Sequence, residues 1–229
     1  MYWHWTYWLV LPGVLVMLWA QNQVQSTYRR YARVPSSLGM TGAEVARVIL
    51  RRMGVAHVGV EMTPGELSDH YDPQAKMVRL SPGIYNSASL AAAAVAAHEC
   101  GHVLQDQEGY APMVWRANLV PLASLGSQLG PVLVVLGIVL TGLGAISSLF
   151  IHVGIALFVA AIAFHLITLP VEFDASARAL RLIDRLGILQ GQEHRGAKAV
   201  LDAAAWTYVA GALYAVLQLI QLLIMSRER

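Results

Sequence analysis

The sequence predicts a mainly α-helical membrane protein: four transmembrane helices and a small cytoplasmic α+β unit that carries the pattern H-E-x-x-H on a helix. Three observations lead there. Of 229 residues, 13% are charged and 56% hydrophobic, with a mean hydropathy of +0.52, against about 25% charged in a soluble domain. Residues 117–171 contain no Asp, Glu, Lys or Arg. His98-Glu99-Cys100-Gly101-His102 falls inside the longest polar segment. The apolar content excludes a disordered chain. A net charge of +2 without a long basic run gives no footprint for nucleic acid, so no such partner is expected. The lone Cys100 excludes an intramolecular disulfide framework.

Residues 3–20 are apolar, near the minimum length of a span, with Trp3, Trp5, Tyr7 and Trp8 as an interfacial belt. No Lys or Arg precedes them, and Arg29, Arg30 and Arg33 follow. A cleaved signal peptide has a positive leading region and a short apolar core, so residues 1–21 read as an uncleaved anchor with its N-terminus outside. Residues 34–118 are the expected folded extramembrane unit. Within it, residues 41–53 form an amphipathic helix with Val45, Val48 and Ile49 on one face, opened by Thr41 and Glu44 in capping-box spacing. Residues 55–62, 67–72 and 77–81 read as strands, separated by Thr63-Pro64-Gly65 and Asp72-Pro73. Ser87 or Ser89 then caps an alanine-rich helix running to about Glu108.

The uncharged residues 119–169 suffice for two helices of about 20 residues, with Gly142, Gly144, Ser147 and Ser148 at the tip of the hairpin. Residues 170–202 form a second polar segment, and residues 203–225 a last span whose Gln218 and Gln221 face other helices. Of 16 Lys and Arg, nine lie in residues 21–118, five in 170–202 and none at the hairpin tip. The positive-inside rule therefore puts both polar segments in the cytoplasm of a multi-pass protein. Arg227 and Arg229 then fall outside, a minor conflict tempered by Glu228.

In H-E-x-x-H the two histidines are four residues apart, so both imidazoles share a helix face and reach one ion. Glu99 sits about 100° round the helix, placed to take a proton from water at the ion without ligating it. Two His plus a carboxylate with an open position is a catalytic zinc set, and one zinc ion per chain is expected. Random order would produce the pattern only about 0.01 times in a chain with this many His and Glu. The third ligand must come from elsewhere. Glu108 stands where a longer metzincin-type pattern has its last histidine, but that pattern needs a glycine where Gln105 stands, so Glu108 reads as a solvated helix end. Glu172 is the better candidate. Two spans after His102 return the chain to the same side, and a carboxylate at the bilayer edge is costly unless paired or bound to metal. Pro170 can kink or restart the helix there.

With Gln105, His70-Tyr71-Asp72-Pro73, Leu80-Ser81 and residues 169–176 added to the motif, nearly the whole chain resembles the YugP-type neutral zinc metallopeptidases of bacterial membranes. The resemblance implies a membrane-bound zinc endopeptidase whose cytoplasmic α+β unit is zincin-like, distantly similar to the HtpX-type and CAAX prenyl proteases. It implies zinc on His98, His102 and Glu172, with Glu99 as catalytic acid/base. HtpX-type enzymes have an aspartate four residues after the ligand glutamate; here Ser176 holds that place, and Asp174 points to another helix face.

The expected reaction is hydrolysis of peptide bonds in membrane-associated or unfolded proteins, with Glu99 taking the proton of water and passing it to the leaving amine. Arg178, His194, His70 and Tyr208 are all conceivable oxyanion donors. Asp174 and Arg178 have the spacing of a helical ion pair. An exposed edge at residues 77–81 would hold substrate by strand addition. His152 and His165 read as packing residues. Gly126 and Gly130 allow close helix packing within the chain or against a second copy or another membrane protein. The alternatives are a non-catalytic zinc-binding membrane scaffold, against which Glu99 weighs, and a transporter, against which the lack of mid-span charge weighs.

Overall fold

The computed structural model describes residues 5–227. Trp3 of the expected aromatic belt, and Glu228 and Arg229 of the charge count, lie outside the described residues. The elements in order are α1 (Tyr7–Tyr31), α2 (Gly42–Arg52), β1 (Gly59–Met62), β2 (His70–Asp72), β3 (Met77–Leu80), α3 (Pro82–Tyr85), α4 (Leu90–Gln107), α5 (Ala111–Val139), α6 (Ala145–Arg185) and α7 (Gln192–Arg227), with a 3-10 turn at Thr141–Leu143. The protein is mainly helical with one small sheet.

Among the described residues three helices, α5, α6 and α7, are long and apolar enough to cross a membrane. The sequence reading counts four spans. In α1 the described apolar stretch, residues 7–20, falls short of the about 20 residues a span needs and gives way to Gln21, Gln23 and Gln25. α6 continues through Pro170, where the sequence suggests a kink or restart. Proline there frees one carbonyl, that of Leu166, and clashes with it, yet the helix runs on to Arg185.

The chain divides into two units. The first comprises the residues up to Ala20, Ala111–Pro170 and the residues from Thr207 on. Its core joins Val134 of α5, Phe158, Ala161 and Ile162 of α6, and Ala215 and Leu222 of α7. Gly126 and Gly130 bring α5 against Leu157 and Phe158 of α6, so closely that a Cβ at Gly130 would lie 2.9 Å from that of Phe158. The G-x-x-x-G pair is thus occupied within the chain. The outward faces are apolar: Leu125, Leu129, Val132 and Val139 of α5 and Leu149, Val159 and Leu166 of α6 are exposed.

The second unit comprises Gln21–Tyr110 and Val171–Trp206. Thr41 and Glu44 close the expected capping box: the Glu44 amide donates to the Thr41 hydroxyl, and the Thr41 amide to the Glu44 carboxylate at 2.8 Å. Val45, Ala46, Ile49 and Leu50 of α2 are buried with the alanines of α4, and those small side chains let the two helices pack closely. Ser89 caps α4 by accepting from the Ala92 amide at 3.2 Å. In the sheet, β3 is central, parallel to β1 and antiparallel to β2. Strand addition at residues 77–81 is therefore excluded, because β3 is hydrogen-bonded on both edges. Arg79 reinforces the register by donating to Glu61 of β1 at 2.6 Å and to Asp72 of β2 at 2.5 Å. Asp106 accepts from the Tyr71 hydroxyl at 2.7 Å and from Lys76 at 2.6 Å, tying the sheet to the end of α4.

Candidate metal centre

The second unit contains every residue of the H-E-x-x-H pattern and the third ligand expected from sequence. α4 presents His98 and His102 one turn apart, their ring centroids 4.8 Å from each other and edge-on. α6 brings Glu172 to the same face: its Oε2 lies 3.2 Å from His98 Nε2 and 3.7 Å from His102 Nε2. One ligand atom from each of the three lies within 4.8 Å of the others. Ligands at about 2.0–2.1 Å from a tetrahedral zinc stand about 3.3 Å apart, so two imidazole nitrogens and one carboxylate oxygen at these separations fit that ion and leave a fourth position.

The approach of α6 depends on Gly101. A Cβ there would lie 3.0 Å from the carbonyl carbon and 3.1 Å from the Cα of Ala175, with the Ala175 oxygen closer still. The centre of the motif thus needs a residue without a side chain. Helical periodicity then distributes the α6 residues. Glu172 and Ser176, four apart, share the face towards the histidines, and Ser176 Oγ lies 3.1 Å from His98 Nδ1. Asp174 and Arg178 share another face, and Arg178 donates to Asp174 at 2.5 Å and to Glu108 at 2.6 Å. The expected helical ion pair is present, and Glu108 caps the end of α4 outside the three-residue cluster.

Gln105 completes the surroundings. It is fully buried, its Oε1 2.9 Å from His102 Nδ1, and its Nε2 donates to the Val171 carbonyl at 2.8 Å and to Asp174 at 2.9 Å. Sequence reasoning gave Gln105 no role of its own. The available signal was its position three residues after His102, on the same helix face, as Ser176 is one turn after Glu172.

Burial pushes the Glu99 carboxyl above its ordinary pKa; His98 and His102 oppose the shift, and the carboxylates of Glu172 and Asp69 add to it. For His102 burial disfavours the charged ring, but the nearby carboxylates of Glu172 and Glu99 outweigh it, and the pKa rises. The Cys100 thiol is pushed up by burial and packs under the Ala46 carbonyl, an inert position. Of the conceivable oxyanion donors, Arg178 is engaged by two carboxylates, His194 meets the Leu180 carbonyl at 3.3 Å and His70 the Ser68 carbonyl at 2.7 Å. Tyr208 belongs to the other unit. His152 Nδ1 lies 2.7 Å from the Ser148 carbonyl, and His165 packs edge-on to Phe164.

Residues 6–227 match the family described as "Putative neutral zinc metallopeptidase". Over 213 residues, 93% of this chain and 92% of the relative, the sequence is 43% identical to the "Putative membrane protease YugP" of Bacillus subtilis (strain 168). No solved structure matches the chain.

Proposed function

This chain belongs to the neutral zinc metallopeptidase family, and from that premise we propose that it is an integral-membrane zinc endopeptidase acting on membrane-associated or unfolded proteins. His98, His102 and Glu172 hold a single zinc ion, and Glu99 is the catalytic acid/base. The observation that carries the reading is the convergence of His98, His102 and Glu172, one ligand atom from each within 4.8 Å of the others, with the buried carboxylate of Glu99 on the same turn of α4. Zinc bound there would supply a Lewis acid for the scissile carbonyl and lower the pKa of water towards about 7.

The protein's own residues do the rest. Glu99, on the turn between the two histidines, accepts the proton of the attacking water and returns it to the leaving amine. Burial, which shifts its pKa upward, makes the carboxylate a stronger base towards the proton of that water. Glu172 offsets positive charge at the site.

The reading includes a fourth span in α1 and a cytoplasmic active site in a bacterial membrane. The fourth span is supported by Gly13, where a Cβ would lie 3.1 Å from the Tyr214 Cα of the membrane-length α7. The cytoplasmic side is supported by the Lys and Arg of residues 21–118 and 170–202. The extents 1–21, 34–118, 119–169, 170–202 and 203–225 belong to the same proposal.

The test is cleavage of an unfolded protein by the detergent-purified chain beside Glu99→Gln, with bound zinc quantified in both. Cleavage by the parent alone, at equal zinc, is expected; losing one general base costs about 10²–10⁴-fold. Zinc in both with cleavage by neither would favour a non-catalytic scaffold.

A further inference from the structure

We infer that Gln105, held by Asp174, is a positioning residue that sets the tautomer of His102 and presents its Nε2 to the metal. The inference rests on the zinc site proposed above and concerns residues behind it. The argument is one of hydrogen-bond bookkeeping. One end of the Gln105 amide faces two accepting oxygens, the Val171 carbonyl at 2.8 Å and, at 2.9 Å, the Asp174 Oδ2 that also accepts from Arg178. That end must be the NH₂ group, so the other is a carbonyl oxygen, which only accepts. It lies 2.9 Å from His102 Nδ1, so Nδ1 carries a proton and, in the neutral ring that a metal requires, the lone pair falls on Nε2, the nitrogen on the side of Glu172.

The amide cannot turn over without losing these bonds. Asp174 is itself fixed by Arg178 at 2.5 Å, and Arg178 by Glu108 at 2.6 Å and by the ring of Tyr110, 5.8 Å from the guanidinium carbon. A metal-binding histidine is ordinarily oriented by a carboxylate, carbonyl or water on its other nitrogen. Here the carboxylate stands one residue further out and acts through a neutral amide. His98 is treated differently. Its Nδ1 meets the Ser176 hydroxyl at 3.1 Å, which both donates and accepts and therefore imposes no tautomer. The two histidines are unequal: His102 is preset, and His98 adjusts.

The experiment measures zinc affinity of the detergent-purified full chain by competition with a chromogenic chelator, and the melting temperature of each chelator-stripped protein. Gln105→Met keeps the volume and removes the acceptor; zinc binding about 10–100-fold weaker is expected, the usual cost of losing such a partner. In Gln105→Glu/Asp174→Asn the acceptor towards His102 is retained and the bond between positions 105 and 174 is reversed, while the Val171 carbonyl loses its donor, a cost that registers in the melting temperature. Affinity within about threefold of the parent is expected. A purely structural Gln105 would lower the melting temperature and leave the affinity of the folded protein unchanged. Folded Gln105→Met with parental affinity overturns the inference while leaving the protease reading intact. If Gln105→Met does not fold, the double variant decides, and more than tenfold weakening in it overturns the inference. A parent chain that binds no zinc overturns both.

Discussion

Gly101 shows how much of this site is decided by a single missing side chain. It lies between the two histidines on α4 and faces the backbone of Ala175, three residues past Glu172. A methyl group there meets carbonyl and Cα atoms, which cannot swing aside, so α6 must move and take Glu172 with it. Gly101→Ala is expected to destabilise the protein by about 1–3 kcal/mol, the usual range for overpacking, and to weaken zinc binding. Chemical denaturation and chelator competition on the same preparation check both. The histidine pair and Glu99 stand out in the sequence because the motif lies within five residues. Glu172 took a topological argument, and its contact with the histidines is made 74 residues away in sequence from His98. Gln105 and Ser176 stayed unassigned because glutamine and serine are ordinary helix residues until their partners are known.

At the scale of elements, the capping box of α2 and the span of α4 could be read directly, since both rest on contacts within a few residues. The role of β3 could not. A four-residue strand such as Met-Val-Arg-Leu looks the same at the edge of a sheet as at its centre, and only the parallel partner β1 and antiparallel partner β2 make it central. Asp69 fastens the end of β3, accepting from the Ser81 amide at 2.7 Å and the Ser81 hydroxyl at 3.1 Å. Burial nevertheless raises its pKa above 3.8, against the pull of the Ser81 hydrogen bonds and of His70. A carboxyl whose folded pKa is raised binds its proton more tightly in the folded state. Its contribution is fully present below the unfolded value and is lost as pH rises through the folded one. The stability of the parent relative to Asp69→Asn is therefore expected to fall as pH rises from below 3.8 towards neutral. Denaturation midpoints of the two proteins across that window check it; a difference that grows with pH contradicts it.

For the whole molecule, composition points to a membrane protein, and α5, α6 and α7 are three helices long and apolar enough to cross a membrane. The count of four depended on a segment whose apolar part is short within the described residues. The proposed metal joins α4 to α6, elements with no strand or disulfide between them, so its removal should be felt as stability. At a free zinc concentration about 1,000 times the dissociation constant, binding contributes about 4 kcal/mol. Thermal unfolding of the purified chain is expected to shift downwards when zinc is chelated and to recover on adding zinc back. The His98→Ala variant should melt at the same temperature with and without chelator.

The continuity of α6 through Pro170 has a consequence for which kinds of change the segment tolerates. Glu172, Asp174, Ser176 and Arg178 serve two helix faces by counting residues along one uninterrupted rod. An inserted or deleted residue between Pro170 and Glu172 would turn all four by about 100° and shift them by about 1.5 Å. The proposed ligand, the partner of His98 and the anchor of Gln105 would be lost in a single step. Replacing the exposed Phe173 leaves that count intact. Length, more than the chemistry of the intervening side chains, is the quantity that this stretch of α6 holds fixed.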